Sequence, residues 1–174
     1  HTEHGHMNEH EAGEKFQEIT GLIVEYLEQE FFEINENAGS TPDFAVVNFN
    51  NEILASVDVK CPTESFFDQK LMFVKESKPE FQNVPKEMFV QGQMQMMSLS
   101  IENMKRGFGM VKNHYLVRYM TSSEIDDDGN KIEYDLPLES RMFWTKITAD
   151  PDYQQMLSNE IEKASKERDL YVEI

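Results

Sequence analysis

Three residues of the right types and spacing for chemistry on phosphate stand close together in the chain: Asp43, Asp58 and Lys60. Between and beside them run two segments rich in β-branched and aromatic residues, Phe44–Phe49 and Ile53–Lys60, which read as strands. Asn50-Asn51 between the strands suits a two-residue hairpin turn, because Asn tolerates the left-handed conformation better than most residues. In that register Phe49 faces Glu52 and Asp43 faces Asp58. Side chains directly opposed across an antiparallel pair lie about 5 Å apart at Cβ. Two carboxylates so placed repel each other, and a divalent cation is the natural group to offset the repulsion. Lys60, two residues beyond Asp58, projects from the same face.

That grouping suits phosphodiester hydrolysis. Carboxylate oxygens are the hard ligands Mg²⁺ takes. The ion polarises a phosphate and lowers the pKa of a bound water, and a second ion can stabilise the leaving oxygen. A nearby lysine can position the water or neutralise charge growing on the phosphate. Taken alone, Pro-Asp…Asp-x-Lys favours an ordinary hairpin with two surface acids and a surface lysine, because these residues are common.

The rest of the chain reads as an α/β core that would hold such a hairpin. Met7 to about Phe32 carries Ala12, Phe16, Ile19, Ile23, Leu27 and Phe31 at helical spacing, which predicts one long helix. Ala38–Pro42 breaks it from the first strand. Apolar residues on both faces of both strands predict a sheet covered on both sides. Phe66–Glu76 is amphipathic and reads as helix. Pro85 opens a helix to about Arg106, which Gly107 and Gly109 end. Met110–Thr121 and Arg141–Thr148 read as strands and Asp150–Arg168 as a last helix. Asp126–Asn130 lacks the twelve-residue ligand pattern of a calcium loop and reads as a solvated acidic turn. No internal repeat or second domain shows, so residues 1–174 form a single domain.

In this order the motifs resemble the PD-(D/E)xK nuclease superfamily, and within it the lambda-exonuclease / YqaJ-type phage recombinase family. Thr41-Pro42-Asp43, Asp58-Val59-Lys60-Cys61-Pro62 and Met88-Phe89-Val90-Gln91-Gly92-Gln93 match that family's S-P-D-G, E-[LV]-K-C-P and Y-x-x-Q-x-Q segments. Gly5, Glu9, Ala12, Phe16, Thr20 and Gly21 match its first helix, and Trp144 and Asp150-Pro151-Asp152-Tyr153 its last strand and helix. Asp58 stands where Glu is commoner, Phe44 replaces a glycine and Met88 a tyrosine. The resemblance implies a restriction-endonuclease-like core, a central mixed sheet flanked by helices. It implies a metal site of Asp43, Asp58 and Val59, with Lys60, Glu9 and Gln91 as catalytic residues. The activity implied is Mg²⁺-dependent removal of one strand of linear duplex DNA from its end, 5′→3′, with Mn²⁺ able to substitute. The assembly implied is a homotrimer that collaborates with a single-strand annealing protein in phage recombination, in the cytoplasm of a bacterial host. The family carries a helical segment ahead of the Gly5…Glu9 motif, so the chain reads as a fragment or a short member.

The bulk properties set limits. The chain has 174 residues, 39% of them hydrophobic, and no apolar run of the roughly 20 residues that span a bilayer. One cysteine, Cys61, rules out an intrachain disulfide framework and fits a reducing compartment. It also excludes the superfamily branch that binds an iron–sulfur cluster through four cysteines. The formal charge of −17 counts against a nucleic-acid binder, although a carboxylate cluster holding a metal is locally inverted by the ion. The excess acid falls mainly in Ser122–Glu139 and near both termini, away from the central motif, and Ser122–Glu139 with the C-terminal helix is expected to carry it to an outer surface or a subunit contact. Lys86, Lys105 and Arg106, with Lys70, Lys75 and Lys78, would line the DNA channel. Gln91, Gln95, Ser98 and Glu102 form a polar stripe that is otherwise simply a solvent face, and Gln93 is the lesser candidate. Met88, Met94, Met97 and Met104 read as core packing and Cys61 as a small buried residue. His1, His4, His6 and His10 share no spacing that would make a zinc site. Two other readings stand beside the exonuclease: an endonuclease of the same superfamily, and a degenerate relative that binds a protein partner.

Overall fold

The computed structural model describes residues 2–61, 84–133 and 135–172. The expected helix at Phe66–Glu76 and the lysines 70, 75 and 78 lie outside the described residues. Nine strands and four helices follow in the order α1 (Thr2–Thr20), β1 (Ile23–Tyr26), β2 (Phe32–Asn35), β3 (Ala38–Ser40), β4 (Phe44–Val47), β5 (Ile53–Lys60), α2 (Lys86–Lys105), β6 (Asn113–Tyr119), β7 (Ser123–Ile125), β8 (Lys131–Glu133), α3 (Leu138–Arg141), β9 (Met142–Thr148) and α4 (Pro151–Val172) among the described residues. A five-stranded sheet runs β1-β4-β5-β6-β9, with β5 and β6 parallel and every other neighbour antiparallel.

The first helix is shorter than its apolar spacing predicts. Gly21 takes φ +71° and its N–H bonds the Gln17 carbonyl, the left-handed stop that glycine makes cheaply. Ile23 and Leu27 keep the four-residue spacing past that stop, but Ile23 belongs to the edge strand β1, paired with Val47 of β4. The breaker segment is itself a strand in part, since β3 pairs with β2 in a small hairpin.

The sheet is covered on both faces. On one side α1 lays Ala12 and Phe16 on Phe44, Val57, Val59, Val117 and Tyr119. On the other, α2 and α4 close over Ala45, Ile53, Leu116 and Ile147 with Phe89, Met96 and Leu99. Of the methionines expected in the core, Met104 is exposed, and Met96 is fully buried instead. Of the polar stripe of α2 only Gln91 is solvent-exposed. Gln95 and Ser98 are buried, and the Ser98 hydroxyl meets Ser40 of the β2–β3 hairpin, which lies over this side of the helix.

Asn103 fastens the far end of α2 to the sheet. Its Oδ1 accepts the Ile53 N–H at 2.8 Å, and its Nδ2 donates to the Ile53 carbonyl at 3.1 Å and the Gly109 carbonyl at 2.9 Å. A buried polar group left without its partner costs roughly 1–3 kcal/mol. Asn103→Ala strands the Ile53 pair and is expected to lower the melting temperature by about 5–10 °C, at about 2–4 °C per kcal/mol for a domain of this size. Thermal melting followed by circular dichroism checks this, and a shift under about 2 °C would contradict it.

Candidate active site

The hairpin β4–β5 positions the acids. Phe44 pairs with Val57, so the next step outward sets Asp43 opposite Asp58, as the sequence register predicts. The turn that achieves this differs from the expected one. The Asn48 N–H bonds the Glu52 carbonyl and the Asn51 N–H bonds the Asn48 carbonyl, so Asn48, not Phe49, faces Glu52. Asn51 sits at φ +63°, and the Asn48 side chain accepts the N–H groups of Asn50 and Glu52. The register then shifts by one residue between Val46 and Val47, which restores the pairing that opposes the two acids.

Around the hairpin end the acids are held in low dielectric. Asp58 is 4% exposed. Burial pushes its carboxyl up to about 6, with the Asp43 charge adding to the rise and Lys60 opposing it. Asp43 is pushed up to about 7, first by burial and then by the Glu9 carboxyl, against hydrogen bonds from Asp58 and from the Val59 backbone. The Val59 N–H donates to Asp43 Oδ2 at 2.7 Å. Lys60 Nζ stands 3.1 Å from Asp58 Oδ2 and is part-exposed, so it reaches from the buried acid toward solvent.

Glu9 comes from the other layer. Gly13, one turn further along α1, has no Cβ, and one there would run into the Phe44 ring. The close approach of helix to strand carries Glu9, itself buried, toward Asp43, the neighbour of Phe44. Cys61, half-buried beside these carboxyls, has its thiol pushed up to about 12 by burial and by Glu9 and Asp43, so it is an inert thiol.

Asp43, Asp58, Lys60, Glu9 and the Val59 backbone therefore come together. Gln91 does not join them by any described contact; it is exposed on α2. Gln93 is fully buried and serves the fold: it donates to the Thr148 carbonyl and accepts from the Asp150 N–H and the Gln154 amide, tying α2 to the start of α4. The nucleic-acid candidates separate. Lys86 opens α2 at the end nearest Lys60, but Lys105 closes the helix roughly 28 Å away along its axis, at about 1.5 Å per residue. Arg106 beside it bonds the Asn51 carbonyl at the hairpin turn, the end of the sheet away from the acids. The acidic segment departs from expectation too: β7 and β8 follow the C-terminal end of β6, which in the parallel pairing is the end that carries Asp58 and Lys60.

Two residues of the site went unsingled in the sequence. His114 on β6 is buried against Ser56 of β5, Nδ1 to Oγ 2.7 Å, under Gly92, where a Cβ would come within 2.8 Å of its ring. Burial pushes it down to about 4, so it is a neutral hydrogen-bonding group beneath Asp58. Arg118, on the same strand, is 4% exposed. A charged residue inside the apolar run Tyr115–Tyr119 was the available signal.

The donor chemistry fits a hard divalent cation. Among the described residues no three His, Cys, Asp or Glu side chains make a ready-made cage. Mg²⁺ rarely uses one: it takes one or two carboxylates and keeps waters and phosphate oxygens in its remaining positions. Two mutually repelling carboxylates, Asp58 buried and Asp43 half-buried, are the part of such a site that protein supplies.

The sheet, its flanking helices and this hairpin make a PD-(D/E)xK-like core. Three solved structures that share the fold are named exonucleases. An alkaline exonuclease from Laribacter hongkongensis superposes with a TM-score of 0.67 at 19% identity, over 99% of this chain and 70% of that one. The same enzyme in complex with dAMP gives 0.62 at 20% identity, over 97% and 68%. A phage-related exonuclease from Haemophilus somnus gives 0.61 at 15%, over 99% and 72%. No family model and no curated protein matches the chain.

The raised carboxyls make a stability statement. Unfolded, Asp43 and Asp58 titrate near 4; folded, near 7 and 6, so between those limits the folded state binds more protons. Their contribution to stability therefore falls as pH rises from about 4 through about 7. Without divalent metal, Asp58→Asn is expected to melt at or above the parent temperature at about pH 8, with the gap closing near pH 4.5. Mg²⁺ is expected to stabilise the parent more at pH 8 than at pH 5. Scanning calorimetry reads both, and a variant clearly less stable at pH 8 would contradict the repulsion.

Proposed function

We propose that the chain is a metal-dependent deoxyribonuclease that removes nucleotides from one strand of linear duplex DNA, starting at an end. The observation that carries this is a buried carboxylate, Asp58, opposed on one hairpin by the half-buried Asp43, with Lys60 Nζ 3.1 Å from Asp58. The shared fold supports a nuclease, since the solved neighbours are named exonucleases and one was crystallised with dAMP.

Asp43, Asp58 and the Val59 backbone would hold Mg²⁺, for which Mn²⁺ would substitute. The bound ion supplies a Lewis acid for the phosphate and acidifies a coordinated water. The residues divide the remaining work. The Val59 N–H fixes Asp43 by one oxygen. Lys60, held by Asp58, presents a cation where an attacking water must be oriented and where negative charge grows on the phosphate. Glu9 adds a third carboxylate from α1, placed to take a proton or hold a ligand water. Burial beneath the site excludes bulk water, which strengthens each of these interactions. Gln91 acts only if substrate binding draws its amide to the attacking water. The 5′→3′ direction, a homotrimer and an annealing partner in phage recombination complete the proposal and rest on the sequence resemblance.

Incubation with linear and closed circular duplex DNA, with Mg²⁺ or EDTA at low salt, tests the reading. Linear DNA is expected to be degraded from its ends in Mg²⁺ only, and circles spared; nicking of circles at the same rate would make the protein an endonuclease. Asp58→Asn is expected to reduce cleavage at least about 100-fold, and full activity in that variant would end the proposal. Lys60→Ala is expected to cut turnover about as severely while calorimetry still registers Mg²⁺. Light scattering checks the trimer.

A further inference from the structure

Arg118 is a buried guanidinium at the site end of the sheet, and unlike the buried Arg141 it has no oxygen acceptor among the described residues. It is 4% exposed, its Nε is buried with no hydrogen-bond partner, and no carboxylate pairs with it among the described residues. Its one described contact is Nη2 to the Met88 thioether sulfur at 3.2 Å, a weak acceptor. Burial alone pulls its pKa down, so the cation is held at a cost. A buried charge without a partner is among the more destabilising features a fold can carry. An anionic ligand in contact with the guanidinium would remove that cost.

The location says which ligand. In the parallel pairing of β5 with β6, Arg118 lies directly beside Lys60, and paired residues point to the same face. Met88 belongs to the first turn of α2, so its contact brings the guanidinium against that helix's N-terminal end. That end has Pro85 as its cap and no side chain capping its free N–H groups. A twenty-residue helix presents partial positive charge there. A guanidinium, an ammonium and an uncapped helix N-terminus thus gather at the site end of the sheet.

We propose that Arg118, with the N-terminus of α2, binds a phosphate of the substrate strand next to the one cleaved at Asp43 and Asp58. The assignment of that phosphate to DNA rests on the nuclease reading; the anion site itself does not. Guanidinium binds phosphate through two parallel N–H donors, and in low dielectric the contact is strong. The anion also removes the penalty of the buried charge, so binding and stability are coupled.

Arg118→Met keeps the length and apolar packing and removes the charge; Arg118→Lys keeps the charge without the fork. In chloride buffer Arg118→Met is expected to melt at or above the parent temperature. Inorganic phosphate at equal ionic strength is expected to raise the parent's melting temperature by several degrees more than the variant's, which also controls for general salting effects. Duplex DNA binding is read by anisotropy with Ca²⁺ in place of Mg²⁺. Arg118→Met is expected to weaken it about tenfold and to flatten the slope of log affinity against log salt by about one, the signature of one lost phosphate contact. Arg118→Lys is expected to keep the slope and lose part of the affinity. Equal losses on DNA with and without terminal phosphates assign an internal phosphodiester; a loss confined to phosphorylated ends assigns the terminal monoester. Unchanged affinity and slope in Arg118→Met, or melting well below the parent in both variants with no phosphate effect, would overturn the proposal. A parent that fails to cleave DNA yet is stabilised by phosphate through Arg118 would overturn the nuclease reading and leave the anion site standing.

Discussion

The repulsion between Asp43 and Asp58 is the constraint around which the rest of the domain is arranged. Like charges directly opposed across a strand pair are destabilising, more so when buried. The fold nonetheless buries Asp58 almost completely and sets Asp43 against it, with Glu9 added from α1. What it offers in return is partial: one N–H from Val59 to Asp43, one ammonium from Lys60 to Asp58. These hold the carboxylates in place without neutralising both. The strain is local and the rest of the structure resists it, with an apolar layer on each side of β4 and β5 and Gly13 admitting α1 close to Phe44. Sites built for chemistry commonly carry such uncompensated interactions, and rigid packing around them is what lets them persist.

The hairpin was legible because strand periodicity is two and admits no drift. Once Asp43 and Asp58 are assigned to paired strands, only a change of register can part them. The chain does change register, at Val46 and Val47, and the longer turn at Asn48–Glu52 compensates, so the expected pairing arises from two departures that cancel. Helix α2 was legible from Pro85 at its start and the glycines at its end. Helix α1 was overrun because Ile23 and Leu27 continue an apolar spacing of four, and only the left-handed Gly21 decides where the helix stops. The polar stripe on α2 misled for a different reason. Whether Gln95 and Ser98 meet water depends on the β2–β3 hairpin folding over them, a tertiary fact with no local signal. Gln93, set below Gln91 on sequence grounds, instead became the hydrogen-bonding hub between α2, β9 and α4.

Charge was the least legible property. Lys105 and Arg106 follow Lys86 on one helix, yet a helix of twenty residues sets its two ends on opposite sides of a small domain. The acidic β7–β8 hairpin is attached at the site end and not remote from it. A net charge of −17 then leaves little room for a broad basic face. The two kinds of charge differ in reach, however. Asp127 and Asp128 are solvent-exposed, and salt screens such charges over about 8 Å at physiological ionic strength. Lys60 and Arg118 act from beside and within the protein interior, where screening is weak and a phosphate in contact feels nearly their full field. An acidic protein can therefore hold a polyanion at one point while repelling it elsewhere. On the proposed nuclease reading, that arrangement favours a strand delivered into the site over a duplex lying across the surface.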